Sequence, residues 1–103
     1  MTAERACLTL VADWPVRQEL FDFLAEQTDL ISGFTASDAA GHGRTARLHS
    51  PSEQVKGRAD RVLIRMVLED ATAAQLLERL HTAFHGAHIT YWTTPVSRFG
   101  TIE

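Results

Sequence analysis

The chain has very little cysteine, no long apolar run and no excess of positive charge, and each shortage removes a class of protein. Cys7 is the only cysteine among 103 residues, which excludes an internal disulfide and fits a reducing cytoplasm. No apolar stretch approaches the ~18 residues of a membrane-spanning helix, so membrane insertion is not expected. The opening residues MTAERACLTLV carry charge but no apolar core ending in a cleavage site, so no secretory leader is expected either. Ten Lys and Arg against 13 Asp and Glu give a net charge of −3, whereas a nucleic-acid binder needs a basic face. Nothing resembles a catalytic triad, a pair of acid and base carboxylates, or a dinucleotide fingerprint. These absences favour a binding or regulatory module over an enzyme.

What remains is ordinary globular material. A hydrophobic content of 45% supplies one core, and the length suits a single domain over residues 1–103. Residues 5–12 alternate as a strand, with Leu8 and Leu10 on one face and Cys7, Thr9 and Val11 on the other. Asp13, Trp14 and Pro15 start a helix, because proline is tolerated where its missing N–H has no partner. Val16, Leu20, Phe23 and Leu24 form its apolar stripe, which fades by 27–29. Residues 30–37 suggest a second strand bent at Gly33. Residues 61–69 suggest a third, with Val62, Ile64, Met66 and Leu68 on one face and Leu63, Arg65 and Val67 on the other.

A second helix is expected over 71–84, with Thr72 and Gln75 at capping-box spacing and Ala73, Leu76, Leu77, Leu80 and Phe84 buried. Gly86 stands where a left-handed cap would fall. A fourth strand is expected over 87–93, followed by a turn at Pro95 and a docked segment or short fifth strand. The order is β-α-β-β-α-β. The expected fold is therefore α+β, a ferredoxin-like sandwich in which a four-stranded antiparallel sheet carries both helices on one face. The uncovered face still holds Cys7, Val11, Leu63 and Val67. Exposing such surface costs about 25 cal/mol per Å² of apolar area, which points to oligomerisation through that face.

Residues 38–60 show neither alternation nor a helical stripe and hold three of the six glycines. Structureless connections of that length are uncommon in compact domains and are usually functional or disordered. The segment is also the basic part of an acidic chain. Between 41 and 58, Arg44, Arg47, Lys56 and Arg58 stand against Glu53 alone, a net +3, so the other residues carry −6.

The residues of this region resemble a known superfamily. GFTASDAAGHGRT (33–45) is similar to the segment that leads PII signalling proteins from their second strand into the T-loop, through Gly33, Phe34, Thr35, Ser37, Asp38, Gly41, Gly43 and Arg44. More closely, the chain resembles an uncharacterised proteobacterial PII-like family. The shared residues are CLTL near the start, SGFT, GHG, EQVKGR and the ending built on Tyr91-Trp92, Thr94-Pro95-Val96, Phe99-Gly100 and Ile102-Glu103. The resemblance implies a PII-like homotrimer with ligand clefts between subunits and a T-loop-like segment at about 39–60. Genes of that family often neighbour heavy-metal efflux systems, which implies a membrane efflux protein as a partner. Three departures stand against simple transfer of nucleotide sensing. FHGAHITYW lacks the phosphate-handling Lys of PII proteins, the Arg-rich ending is missing, and the only tyrosine, Tyr91, is not in the loop.

Gly41, His42, Gly43 and Arg44 offer flexible backbone N–H groups and a guanidinium, so an anionic ligand, a nucleotide among them, is expected at Gly41, Gly43, Arg44, Arg47, Lys56 and Arg58. The same glycines equally suit a plain turn, and the same cations a solvated loop face. His42 and His49 share the loop and are candidate metal ligands. His81, His85 and His88 gather near the end of the second helix, with His81 and His85 four apart, although a histidine there is also favourable with the helix dipole alone. The expected function is a small PII-like regulator signalling through its loop. The alternative is a metal-binding or metal-responsive protein serving efflux. A weaker third is a nucleotide hydrolase.

Overall fold

Two strands alternate strongly enough to claim the centre of a sheet, and they do. The computed structural model describes residues 4–43 and 48–103. Strand β1 spans Arg5–Asp13, and a 3-10 turn at Trp14–Val16 leads into helix α1, Arg17–Glu26. Strand β2 is Thr35–Gly41, helix α2 Pro51–Lys56 and strand β3 Ala59–Glu69. Helix α3 is Asp70–Ala83 and strand β4 Thr90–Val96. The strands lie in the order β2-β3-β1-β4, and every neighbouring pair is antiparallel.

Directly opposed residues of an antiparallel pair share a face. Leu8 meets Met66 and Leu10 meets Ile64, while Cys7 meets Val67 and Val11 meets Leu63. The first set lies under the helices. Leu8, Leu10, Ala12, Val62, Ile64 and Met66 are buried there against Leu20 and Leu24 of α1 and Ala73, Leu76 and Leu80 of α3. Each fully buried Leu or Ile contributes roughly 1.5–3 kcal/mol of transfer free energy. An exposed bidentate contact ties the helices at their rim: Arg79 Nη1 and Nη2 donate to the two oxygens of Asp29 at 3.0 and 2.8 Å, and Nη1 also reaches Gln27. The hydrogen bonds from Arg79 hold the Asp29 carboxyl below the usual range.

Several boundaries move from where the sequence pattern puts them. β2 begins at Thr35 rather than near Leu30, because 30–34 drop from α1 to the sheet edge and Ile31 and Phe34 pack on the core instead. The segment expected as one loop over 39–60 is divided. Residues 39–41 continue β2, 51–56 form α2, and 59–60 begin β3. Helix α3 starts at Asp70 with Glu69 as its cap and without a side-chain cap bond, so Thr72 lies inside the first turn and no Thr72–Gln75 box forms. β4 starts at Thr90 because Gly86 and His88 both take positive φ, at 86° and 57°, and extended backbone cannot run through them. Pro95 lies within β4, and residues 97–103 form no fifth strand.

Leu76→Ala, at a site with 0% exposure, should lower stability by about 2–5 kcal/mol through lost burial and a residual cavity. Urea unfolding followed by circular dichroism would read the shift; an unchanged midpoint would place Leu76 outside the core.

Candidate functional site

The uncovered face of the sheet is not left bare at the end where β1 stops. Asp13 closes β1 directly opposite Arg61 of β3, on the face away from α1 and α3. Its side chain is 8% exposed. From the β2–β3 connection, His49 returns across this face and sets Nε2 at 2.8 Å from Asp13 Oδ2. Arg61 Nε lies 3.2 Å from Asp13 Oδ1, an ion pair without a well-directed hydrogen bond, so both atoms are buried with no hydrogen-bond partner. One carboxylate thus holds an imidazole that precedes α2 and a guanidinium that follows it.

Gly41 makes room for this. It pairs with Ala59 at the end of β2, and a Cβ there would fall 2.6 Å from Arg61 Nε. Its place in the sheet reflects close packing of Arg61, and its backbone is engaged with β3. Gly43, at φ 112°, keeps a conformation open chiefly to glycine.

Helix α2 is locked from its own N-terminus. Ser50 accepts from the Glu53 N–H, and Glu53 returns to the Ser50 N–H, a capping box with Pro51 in the first turn and Gly57 as a left-handed cap at φ 69°. Glu53 does more than cap. Its Oε1 also accepts from the His49 N–H, and its Oε2 from the Asp60 N–H at the start of β3. A carboxylate only 2% exposed therefore gathers three backbone donors from the two sides of α2. The His49 and then the Asp60 N–H pull its pKa below the ordinary glutamate value.

The sequence-predicted residues distribute unevenly around this base. Gly41 touches Arg61, His49 joins Asp13, and His42, Gly43 and Arg58 are exposed. Arg44 and Arg47 lie outside the described residues, and Lys56 is placed only as the last residue of α2. The structure does not bring His42 and His49 into a metal set: among the described residues no three His, Cys, Asp or Glu side chains group to hold an ion. Asp13, Glu53 and Arg61 are not among the sequence candidates. Glu53 is signalled by Ser50-Pro51-Ser52-Glu53 followed by Gly57, a complete helix start and stop. Farther along the same face, a hollow of about 530 Å³ lies between Phe34, Thr35, Leu63, Arg65, Val67 and Phe99.

Comparisons with known proteins agree with this architecture. The profile of a family described as "Protein of unknown function (DUF3240)" matches residues 2–103. No curated protein matches the chain. A DUF3240 family protein from Shewanella baltica OS155 superposes with a TM-score of 0.78 at 22% identity, covering 100% of both chains. CPII from Thiomonas intermedia K12, a nitrogen regulatory PII-like protein bound to ADP, AMP and bicarbonate, gives 0.67 at 14% identity over 96% of this chain and 97% of that one. A Thermus thermophilus protein described as a putative PII-like signaling protein gives 0.63 at 17% identity over 91% and 88%. The fold is PII-like.

Since the Glu53 pKa is lowered in the folded chain, unfolding takes up a proton in the window below the ordinary glutamate value, 4.5. The contribution is complete above that value and is lost as pH falls through the folded pKa. Glu53→Gln should therefore flatten the fall of stability with acid below about pH 4.5 and lower stability at neutral pH. Parallel thermal melts from pH 7 to 3 would check it; identical slopes would mean that Glu53 does not titrate with the fold.

Proposed function

We propose, on the premise that the chain belongs to the DUF3240 family and has a PII-like fold, that it is a small regulatory protein whose β2–β3 connection responds to an anionic ligand. The observation that carries this reading is how the connection is fastened. Its larger apolar residues do not anchor it: Leu48 is 39% exposed and Val55 88%. It is held by His49 on Asp13, with Arg61 on the same carboxylate, and by Glu53 on backbone N–H groups. Such contacts are exchangeable. An anion beside Arg61 and His49 competes with Asp13 for the same donors, and His49, once freed, belongs to the connection itself. The net +3 between 41 and 58, including Arg44, Arg47, Lys56 and Arg58, draws an anion to this end. Val55 on α2 then offers an apolar contact to a protein partner.

The assembly in this reading is a homotrimer closed through the uncovered face. Cys7, Val11, Leu63 and Val67 are only half-buried in the single chain, and Trp92 is 43% exposed on the same face. Ligand clefts between subunits place the loop base of one chain beside its neighbour. Among the described residues no helix is long and apolar enough to cross a membrane. The reading is of a regulator, not a catalyst, in the cytoplasm.

Isothermal titration against ATP, ADP, AMP, bicarbonate, zinc and copper tests the ligand class. Heat with one of the anions, lost in Arg61→Met, is the expected result. Heat with metals alone would replace this reading with metal sensing. Light scattering tests the assembly: the chain should run as a trimer, and Val67→Asp should dissociate it. A stable monomer at micromolar concentration, or an unchanged trimer in Val67→Asp, would overturn the assignment of the face.

A further inference from the structure

A second cavity lies on the helix side of the sheet, the side away from the Asp13–His49 contact. It has a volume of about 430 Å³ and opens between the last turns of α3 and the start of β4. Its floor is apolar. Leu77, Leu80 and Phe84 follow one another at helical spacing, and Leu10 of β1 lies beneath them. Leu10 is 1% exposed and Leu80 6%, so the floor reaches the central layer of the molecule. Phe84 is held from behind by Phe23 of α1, edge to face at 5.3 Å. The rest of the described chain leaves this hollow uncovered. Phe99, in the segment after β4, lies under Arg5 at 5.7 Å and lines the hollow on the other face, where His49 also sits. A mostly apolar hollow of this volume with a few polar groups is the usual form of a small-molecule site.

Three features narrow what it takes. The first is the missing charge: no Asp, Glu, Lys or Arg lines the cavity. An ionised group buried there would lose its hydration and gain no opposite charge, which disfavours an ion far more than a neutral molecule. The second is the aromatic wall. Phe84, His81 and Tyr91 all line the cavity, and His81 stands edge-on to Tyr91 at 5.7 Å and 85°. Rings offer a flat body stacked or edge-on contacts beyond simple burial. The third is the adjacent polar pair that His81 and Tyr91 make. Among the described residues neither side chain has a hydrogen-bond partner in the protein. A neutral imidazole offers one donor and one acceptor, and a phenol offers both. A hydroxyl, which also donates and accepts, matches this pair in either imidazole tautomer, whereas a carboxylate can only accept.

We infer that this cavity binds a small uncharged aromatic alcohol, a phenol of one or two rings, with the rings on Leu10, Leu77, Leu80 and Phe84 and the hydroxyl beside His81 and Tyr91. The inference rests neither on an anion at the loop base nor on the trimer. Alternation along β1 places Leu10 and Asp13 on opposite faces, so the sheet itself separates the two sites.

The test titrates the full chain with 2-naphthol and with its charged match, 2-naphthoate, followed by NMR chemical shifts. A pH of about 8 keeps an ordinary imidazole and a phenol both uncharged. The naphthol should bind saturably, move the amides of Leu77, Phe84 and Tyr91, and bind at least about tenfold more tightly than the naphthoate. Leu77→Trp should abolish binding by filling the floor. Tyr91→Phe keeps the ring and removes only the hydroxyl. It should leave the melting temperature unchanged and weaken the naphthol about three- to tenfold, the loss of one neutral hydrogen bond. No saturable binding at millimolar naphthol, naphthoate bound as tightly as naphthol, shifts confined to the hollow between Phe34 and Phe99, or unchanged affinity in Tyr91→Phe would each overturn the assignment.

Discussion

Ala6, Leu8, Leu10 and Ala12 on β1 lie beside Val62, Ile64, Met66 and Leu68 on β3, and α1 and α3 close over them. This single apolar layer fixes the rest. It makes β1 and β3 the centre of the sheet and pushes β2 and β4 to the edges, where most of their residues are exposed. It commits both long helices to one side. With period-two alternation, the same commitment turns Cys7, Val11, Leu63 and Val67 to the side that has no helix. The uncovered face is a direct product of the covered one.

At one end of that face the chain supplies its own cover. Helix α2 has six residues, too few to be stable on propensity alone. It persists because polar groups fix both of its ends. Ser50, Pro51 and Glu53 define the start, Gly57 the stop, and Asp60 and His49 reach the same carboxylate from outside the helix. Ala59, on the uncovered face, is fully buried. The connection is thus a small hydrogen-bonded unit laid on the sheet, and its attachment is electrostatic where the core is apolar.

The helix-covered layer is legible in the sequence because it is periodic. Leu8 and Leu10, Val62 to Leu68, and the Leu76–Leu80 stripe announce their faces without any knowledge of partners. β2 is only partly legible. TASDAAG has weak strand preference and is extended because β3 presents a ladder for it, a tertiary effect that no window contains. Helix α2 escapes for the opposite reason: its signal lies in its end residues, and a search for apolar stripes passes over it. The Asp13–His49 contact joins residues 36 apart, so only the folded chain reveals it. His88 in the left-handed region likewise has no sequence mark, because the residue beside which one expects such a turn is Gly86.

Tyr91 and Trp92 are consecutive in β4, and alternation sends them to opposite sides of the sheet. Tyr91 sits across from Leu10 on the helix side, and Trp92 across from Thr9 on the uncovered side. Each is partly exposed, at 44% and 43%. Tyr91 is the chain's only tyrosine, and the other tryptophan, Trp14, lies under the guanidinium of Arg17 at 4.0 Å. Tyr91 and Trp92 are therefore native chromophores separated by one peptide bond that face different surfaces. Once Trp14 is replaced by Phe, tryptophan emission belongs to Trp92 and follows the solvent contact of the uncovered face.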